Sequence, residues 1–229
     1  VLSLVANYGP DKVALILADF KGGSTFLGMD ALPHVVANIS NLKDTAELVD
    51  RLGDVLEGEV ERREMFIMTE RQCKDIFEYR ERQQQHPNDP NWPPMPDLIV
   101  IIDEFGEFLK KNSRYIKTLD NIGAVGRGLG MHLVMCSQFV DRTLLGDMFN
   151  HLTFRYSLAV NDPKHSREMI GTEDAVGPSM SGGSLRGKIL RKFNSDIKPV
   201  ETVSFRHEDA YVRRSLTQRS RSGGALVTD

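Results

Sequence analysis

The segment DLIVII, residues 97–102, constrains this chain most. It is short, almost wholly apolar and rich in β-branched side chains. A strand that is apolar at every position has both faces covered, which is the situation of parallel strands sandwiched between helices. Parallel neighbours need long crossovers, so the rest of the chain has to alternate between strands and helices. The runs KVALILADF (12–20) and HLVMCSQ (132–138) read as further buried strands, and HVVANIS (34–40) as a second short strand. From Asn41 the period changes. Leu48, Leu52, Val55, Leu56 and Val60 recur at helical spacing, which predicts a helix running to about Met68, with Asn41 or Asp44 as its cap. A second helix is expected over 72–85. HPNDPNWPPMP (86–96) holds five of the chain's ten prolines and has to be an extended loop. A helix is expected from Tyr115 to Val125, broken at GRGLGM. HLTFRYSLAV (151–160) alternates like a strand, KHSREMIG (164–171) reads as a short helix with a glycine stop, and GKILRKF (187–193) reads as an edge-type strand. The expectation is an α/β fold with a largely parallel sheet flanked by helices.

The chain has 229 residues, enough to bury a substantial core. Its 40% hydrophobic and 27% charged residues are ordinary for a globular protein, and its net charge of −3 is not the footprint of a domain that neutralises nucleic-acid phosphates. Clustered bases occur only in the tail, from Arg213 to Arg221. Cys73 and Cys136 lie far apart and read as reduced, structural thiols; no zinc spacing is present. His34, His132 and His151 show no metal spacing and read as structural. No apolar run approaches the ~18 residues that would cross a bilayer. The chain opens with Val1, and residues 1–8 read as the end of a helix stopped by Gly9-Pro10, as in a piece cut from a longer protein. Residues 213–229 read as a polar linker or tail, leaving 1–212 as one domain.

The run at 97–102 ends in Asp103-Glu104. In open α/β sheets ligands sit beyond the carboxyl ends of the strands. An Asp there can help hold Mg²⁺ on a nucleotide, and an adjacent Glu can act as a general base on water. The bland alternative is a strand leaving the core through polar residues. The partner of such a pair is a phosphate loop, G-x-x-x-x-G-K-S/T, after a strand and before a helix. GGSLRGKI, with Gly182, Gly187 and Lys188, comes near, but Ile189 replaces the hydroxyl residue and an alternating strand follows. KGGSTFLG (21–28) lacks the lysine-hydroxyl pair. No phosphate loop exists in these residues. Arg127, between glycines, can project toward a neighbour's phosphate or be a surface arginine beside a turn. Ser137-Gln138 closes a strand where a polar side chain can sense phosphate or water, or simply exits into solvent.

In order, ILADFKGGSTF, LPHVVANIS, GEVERREMF, LIVIIDEFGEFL, GRGLGMHLVMCSQ, FRYSLAV and HSREMIGTEDA resemble the FtsK/SpoIIIE class of hexamer-forming ATPases. Within that class they look most like the EccC ATPases of type VII (ESX) secretion, over about residues 1–212. AVGRGLG departs from the more usual R-x-G-R-S-L-G, and VGPSMSGG from the usual leucine-proline-glycine text. The resemblance implies a RecA-like P-loop NTPase fold whose phosphate-loop strand lies upstream of Val1. It implies ATP and Mg²⁺ as cofactors. Asp103 matches the magnesium-side acid, Glu104 the catalytic glutamate, Arg127 the arginine finger and Gln138 the polar sensor. Asp19 and Lys21 match a turn near the nucleotide. It further implies a ring-forming homo-oligomer, expected to be a hexamer, on the cytoplasmic face of the cell membrane. Its partners would be other type VII secretion membrane components and small helical secreted effector proteins. Rival readings are a DNA translocase of the FtsK type, disfavoured by the acidic balance, and a degenerate copy that binds secretion signal peptides.

Overall fold

The computed structural model describes residues 1–39, 45–106, 109, 115–176 and 188–203. The described chain packs into two compact units that divide between Cys136 and Ser137.

In the first unit, helix α1 (Leu2–Asn7) precedes β1 (Val13–Asp19), then β2 (Val35–Ile39), β3 (Asp97–Asp103) and β4 (Met131–Met135). These form a four-stranded sheet in the order β2-β1-β3-β4, and every pairing is parallel. Strand β1 is buried at every residue because it has a strand on each side and cover on both faces. It runs in unbroken register with β3, from Val13 beside Asp97 to Asp19 beside Asp103. Val5, Val13, Leu15, Leu17, Phe26, Leu32 and Ile101 form one buried cluster. Strand β4 corrects the expectation of another fully buried strand: His132 and Val134 are exposed, and β3 is its one partner among the described residues.

Helix α2 (Thr45–Glu64) buries Leu52, Leu56 and Val60, an i, i+4 stripe, whereas Val55 is turned outward. The predicted helix to Met68 changes character on the way: Met65–Glu70 is a π-helical turn, with the Arg71 N–H reaching the Phe66 carbonyl at 3.0 Å. Helix α3 (Ile76–Gln85) is capped by Asp75, which accepts the Glu78 N–H at 2.9 Å. The proline-rich loop is tied to α3, through the Tyr79 hydroxyl donating to the Pro93 carbonyl at 2.7 Å and the Gln83 amide donating to the Trp92 carbonyl at 3.0 Å.

Helix α4 (Ile116–Leu129) runs through the glycine-arginine segment instead of breaking there. Gly126 is needed for close approach, because a Cβ would lie 2.5 Å from the Met131 carbonyl oxygen. The stop comes at Gly130, in the left-handed region at φ +67°. Arg63 of α2, 2% exposed, reaches this end of α4. Its guanidinium donates to the carbonyls of Leu129 (2.7 Å), Gly130 (3.1 Å) and Pro96 (2.9 Å) and to Glu59 (2.7 Å).

In the second unit, two short helical turns (Arg142–Leu145 and Met148–His151) precede β5 (Phe154–Ser157), α5 (Pro163–Ile170), β6 (Lys188–Phe193) and β7 (Val200–Val203). The three strands form an antiparallel sheet in the order β5-β6-β7. Strand β6 is therefore central, not an edge, and only part of 151–160 is strand. Leu190 of β6 packs with Ile170 and Ala175 under α5, and Gly171 at φ +81° stops that helix. Among the described residues no helix is long and apolar enough to cross a membrane.

Candidate active site

The in-register pairing of β1 with β3 delivers Asp19 and Asp103 side by side at the carboxyl end of the sheet. The ladder continues one residue further, the Phe20 N–H meeting the Asp103 carbonyl at 3.2 Å. Asp19 is buried, at 2% exposure, and both its oxygens are used. One accepts the N–H of Lys21 (3.0 Å) and of Gly22 (3.1 Å); the other accepts the N–H of Thr25 (3.0 Å). Burial opposes its ionisation, but the N–H groups of Lys21, Thr25 and Gly22 outweigh that and hold the carboxyl well below the usual carboxylate range. Asp19 thus folds the turn 20–25 back over the strand ends, while Phe26 anchors the turn in the core.

A carboxyl depressed in the folded state stabilises the fold above its unfolded-state value and loses that contribution as pH falls toward the folded one. Asp19→Asn should therefore lower the urea midpoint at pH 7. Its deficit against wild type should shrink as pH drops below about 4, where unfolded Asp protonates. An equal deficit at pH 7 and pH 3 would show that ionised Asp19 is not what holds the turn.

Glu104 sits in the left-handed region at φ +54°. A non-glycine residue there is strained, and such strain gathers where a side chain has to be aimed. Its N–H donates to Asp103 Oδ1 at 3.0 Å, and its carboxylate faces the Lys21 ammonium, Nζ to Oε2, at 3.5 Å. The side chain of Glu104 is 9% exposed and that of Lys21 54%, so one partner is held and the other is loose. The Phe105 N–H bonds the Cys136 carbonyl at 2.8 Å, which fixes the chain just after Glu104 against the end of β4. The Cys136 residue is exposed, yet partial desolvation and then the Asp103 charge push its thiol up.

The turn also brings in a residue that sequence reasoning did not single out. The Thr25 hydroxyl donates to Asp103 Oδ2 at 2.8 Å. No spacing rule relates positions 25 and 103; the KGGST text hinted only at a turn.

Four of the expected site residues, Asp19, Lys21, Asp103 and Glu104, are brought together. Arg127 is not among them. It is exposed in the last turn of α4, which leads into the start of β4. That is the amino edge of the sheet, on the order of 20 Å of strand from the carboxylates. Gln138 is exposed in the second unit, beyond the end of β4. His34 is buried and bonded to the Tyr8 carbonyl at 2.8 Å; His132 faces Asp97 at 3.2 Å. Most of the Gly182–Lys188 segment and of the 174–184 loop, and all of the 213–229 tail, lie outside the described residues, as do Asn41 and Asp44.

Among the described residues no group of three or more His, Cys, Asp or Glu side chains can hold a metal ion. Mg²⁺ keeps most of its waters and takes one or two carboxylates plus phosphate oxygens, so a site for it does not need such a group. Asp103, with the Thr25 hydroxyl beside it, is a hard-oxygen edge of that kind.

Residues 1–141 match the FtsK/SpoIIIE family. The ESX-1 secretion system protein EccCa1 of Mycobacterium tuberculosis (strain H37Rv) is 38% identical over 184 residues, which is 76% of this chain and 24% of that protein. The ESX secretion system protein EccC of Thermomonospora curvata is 36% identical over 188 residues, 81% of this chain and 14% of that one. The solved cytoplasmic domain of the Thermomonospora curvata Type VII Secretion ATPase EccC shares the fold at a TM-score of 0.83 and 30% identity, covering 95% of this chain and 25% of that chain. The chain therefore spans about a quarter or less of the length of the curated relatives it matches.

Proposed function

The chain belongs to the FtsK/SpoIIIE family, and from that premise we propose that residues 1–212 are the ATPase domain of a type VII secretion motor. The observation that carries this reading is the Asp103-Glu104 pair at the carboxyl end of β3, in register with Asp19 and in contact with Lys21 and Thr25. The likeness to EccC proteins of ESX systems supports the pathway.

In this reading Glu104 is the general base. Its carboxylate is buried enough to be aimed and is balanced by Lys21, which is free enough to turn toward phosphate. Asp103 faces the metal, and Mg²⁺ when bound neutralises charge on the phosphate oxygens. Asp19 serves nucleotide binding through the turn it anchors, and Gln138 takes the polar-sensor role. Arg127 lies at the other end of the sheet within one copy, so its part is played across a subunit interface, in a ring of copies expected to be a hexamer. Hydrolysis drives small helical effector proteins through a membrane complex on whose cytoplasmic side the ring sits.

The 229 residues contain no G-x-x-x-x-G-K-S/T loop. The purified chain alone should therefore hydrolyse ATP no faster than buffer. Turnover by this chain that disappears in Glu104→Gln would overturn the view that the phosphate cradle lies outside it.

A further inference from the structure

Resting on the nucleotide-site reading above, we propose that Thr25 is the positioning residue for Asp103 and, through it, for the hydrated metal ion. Two bonds fix Thr25 between the two acids. Its N–H donates to Asp19 Oδ2 at 3.0 Å, and its hydroxyl donates to Asp103 Oδ2 at 2.8 Å. Asp19 cannot yield, because its oxygens also hold the N–H groups of Lys21 and Gly22. The next residue, Phe26, is buried in the core, so the turn cannot slide. Asp103 is then pinned from both sides, with Oδ1 on the Glu104 N–H at 3.0 Å and Oδ2 on Thr25. A carboxylate is free to rotate about its last bond; these two donors remove that freedom.

The direction of the Thr25 bond sets the chemistry. A carboxylate only accepts, so the hydroxyl proton goes to an acid, to Asp103 in the bond of 2.8 Å with Asp19 also within its reach, and the hydroxyl keeps its lone pairs. Asp103 and Thr25 together offer acceptors and no donor. That is the complement of Mg²⁺ inside its water shell, whose outer surface is all O–H donors. A β-branched residue suits the task, because its restricted χ1 keeps the hydroxyl in place without a ligand.

The test uses Thr25→Val, Thr25→Ala and Thr25→Ser in the full-length protein. Binding of a fluorescent ATP analogue is followed against Mg²⁺ concentration and again in a chelator, with melting curves alongside. Partners that orient a metal ligand are worth about 10-fold or more in metal affinity. Thr25→Val and Thr25→Ala should each raise the Mg²⁺ needed for half-saturation by about 10-fold, while Thr25→Ser stays within about 2-fold of wild type. Affinity for the metal-free analogue should not change. An unchanged Mg²⁺ requirement in Thr25→Ala, or a Thr25→Ser that behaves like it, overturns the proposal and leaves the ATPase reading standing. A wild-type protein that binds the analogue with no Mg²⁺ dependence overturns both.

Discussion

Glu104→Gln in the full-length protein is expected to stop ATP turnover and effector export while leaving ATP binding intact. Gln has the shape of Glu but accepts no proton at neutral pH, so the water near the γ-phosphate loses its base. Such a base contributes about 10²- to 10⁴-fold, and turnover should fall by at least the lower figure. Folding should hardly change. The substitution removes an ion pair to Lys21, but that lysine is 54% exposed and its partner contact is 3.5 Å, so the pair adds less than about 1 kcal/mol. The backbone at φ +54° is as strained with Gln as with Glu. The measurements are turnover of the purified full-length protein, ATP-analogue binding, and secreted effector in cells carrying the variant. Normal export by that variant would count against the whole assignment.

Arg63→Ala is expected to be strongly destabilising for the first unit. The Arg63 side chain is 3% exposed and that of Glu59 20%. Burial pulls the Arg63 pKa down, with the Glu59 carboxylate pulling the other way. Its fork also satisfies the carbonyls of Leu129, Gly130 and Pro96. Two of these close the C-terminal end of α4, where a cation is favoured by the helix dipole. Alanine takes this donor from the Leu129 and Pro96 carbonyls, while Gly130 keeps the Leu98 N–H at 2.8 Å, and among the described residues it leaves the Glu59 charge with Arg62 as partner. Removing one member of a buried pair costs about 3–5 kcal/mol, or roughly 10 °C of melting temperature for a chain of this size. Lysine cannot reproduce a planar fork that reaches several acceptors, so Arg63→Lys should recover only part of the loss. A melting temperature within about 2 °C of wild type in Arg63→Ala would show that α2 and α4 are held together by their apolar contacts alone.

Arg63 also shows where reading a sequence runs out. The GEVERREMF text marked it as part of the family resemblance, yet nothing local says which of the paired arginines turns inward. Arg62, one position earlier, stays at the surface on Glu59. Helical phase decides it: Leu56, Val60 and Arg63 lie on one face, and the end of α4 happens to meet that face. The same limit applies to Gly126 and Gly128. As text, glycines beside Arg127 suggested a break, because glycine is a poor helix former. The packing of α4 against the turn into β4 requires Gly126 for want of space, and the helix runs on. Strands β5 and β6 of the second unit were legible as strands from their alternation, β7 was not singled out, and none of their pairings was legible. Alternation reports one covered face, and β6 meets that condition in the middle of an antiparallel sheet as well as at an edge.

By itself the sequence determined the elements whose signal is local. The strands β1, β2 and β3 are apolar runs with clear stops, α5 ends at Gly171, and Asp103-Glu104 closes β3. Burial on both faces demands continuous apolar text, so β1 and β3 can be read one at a time, whereas β2 is only half-buried, with Val36 exposed. Only the tertiary structure decided what those strand ends do together. The register of β1 on β3 sets Asp19 beside Asp103, and the turn after β1 then carries Lys21 to Glu104 and Thr25 to Asp103. Each of those contacts joins positions about eighty residues apart, and hydrogen-bond pairing across a sheet leaves no periodic mark in either strand.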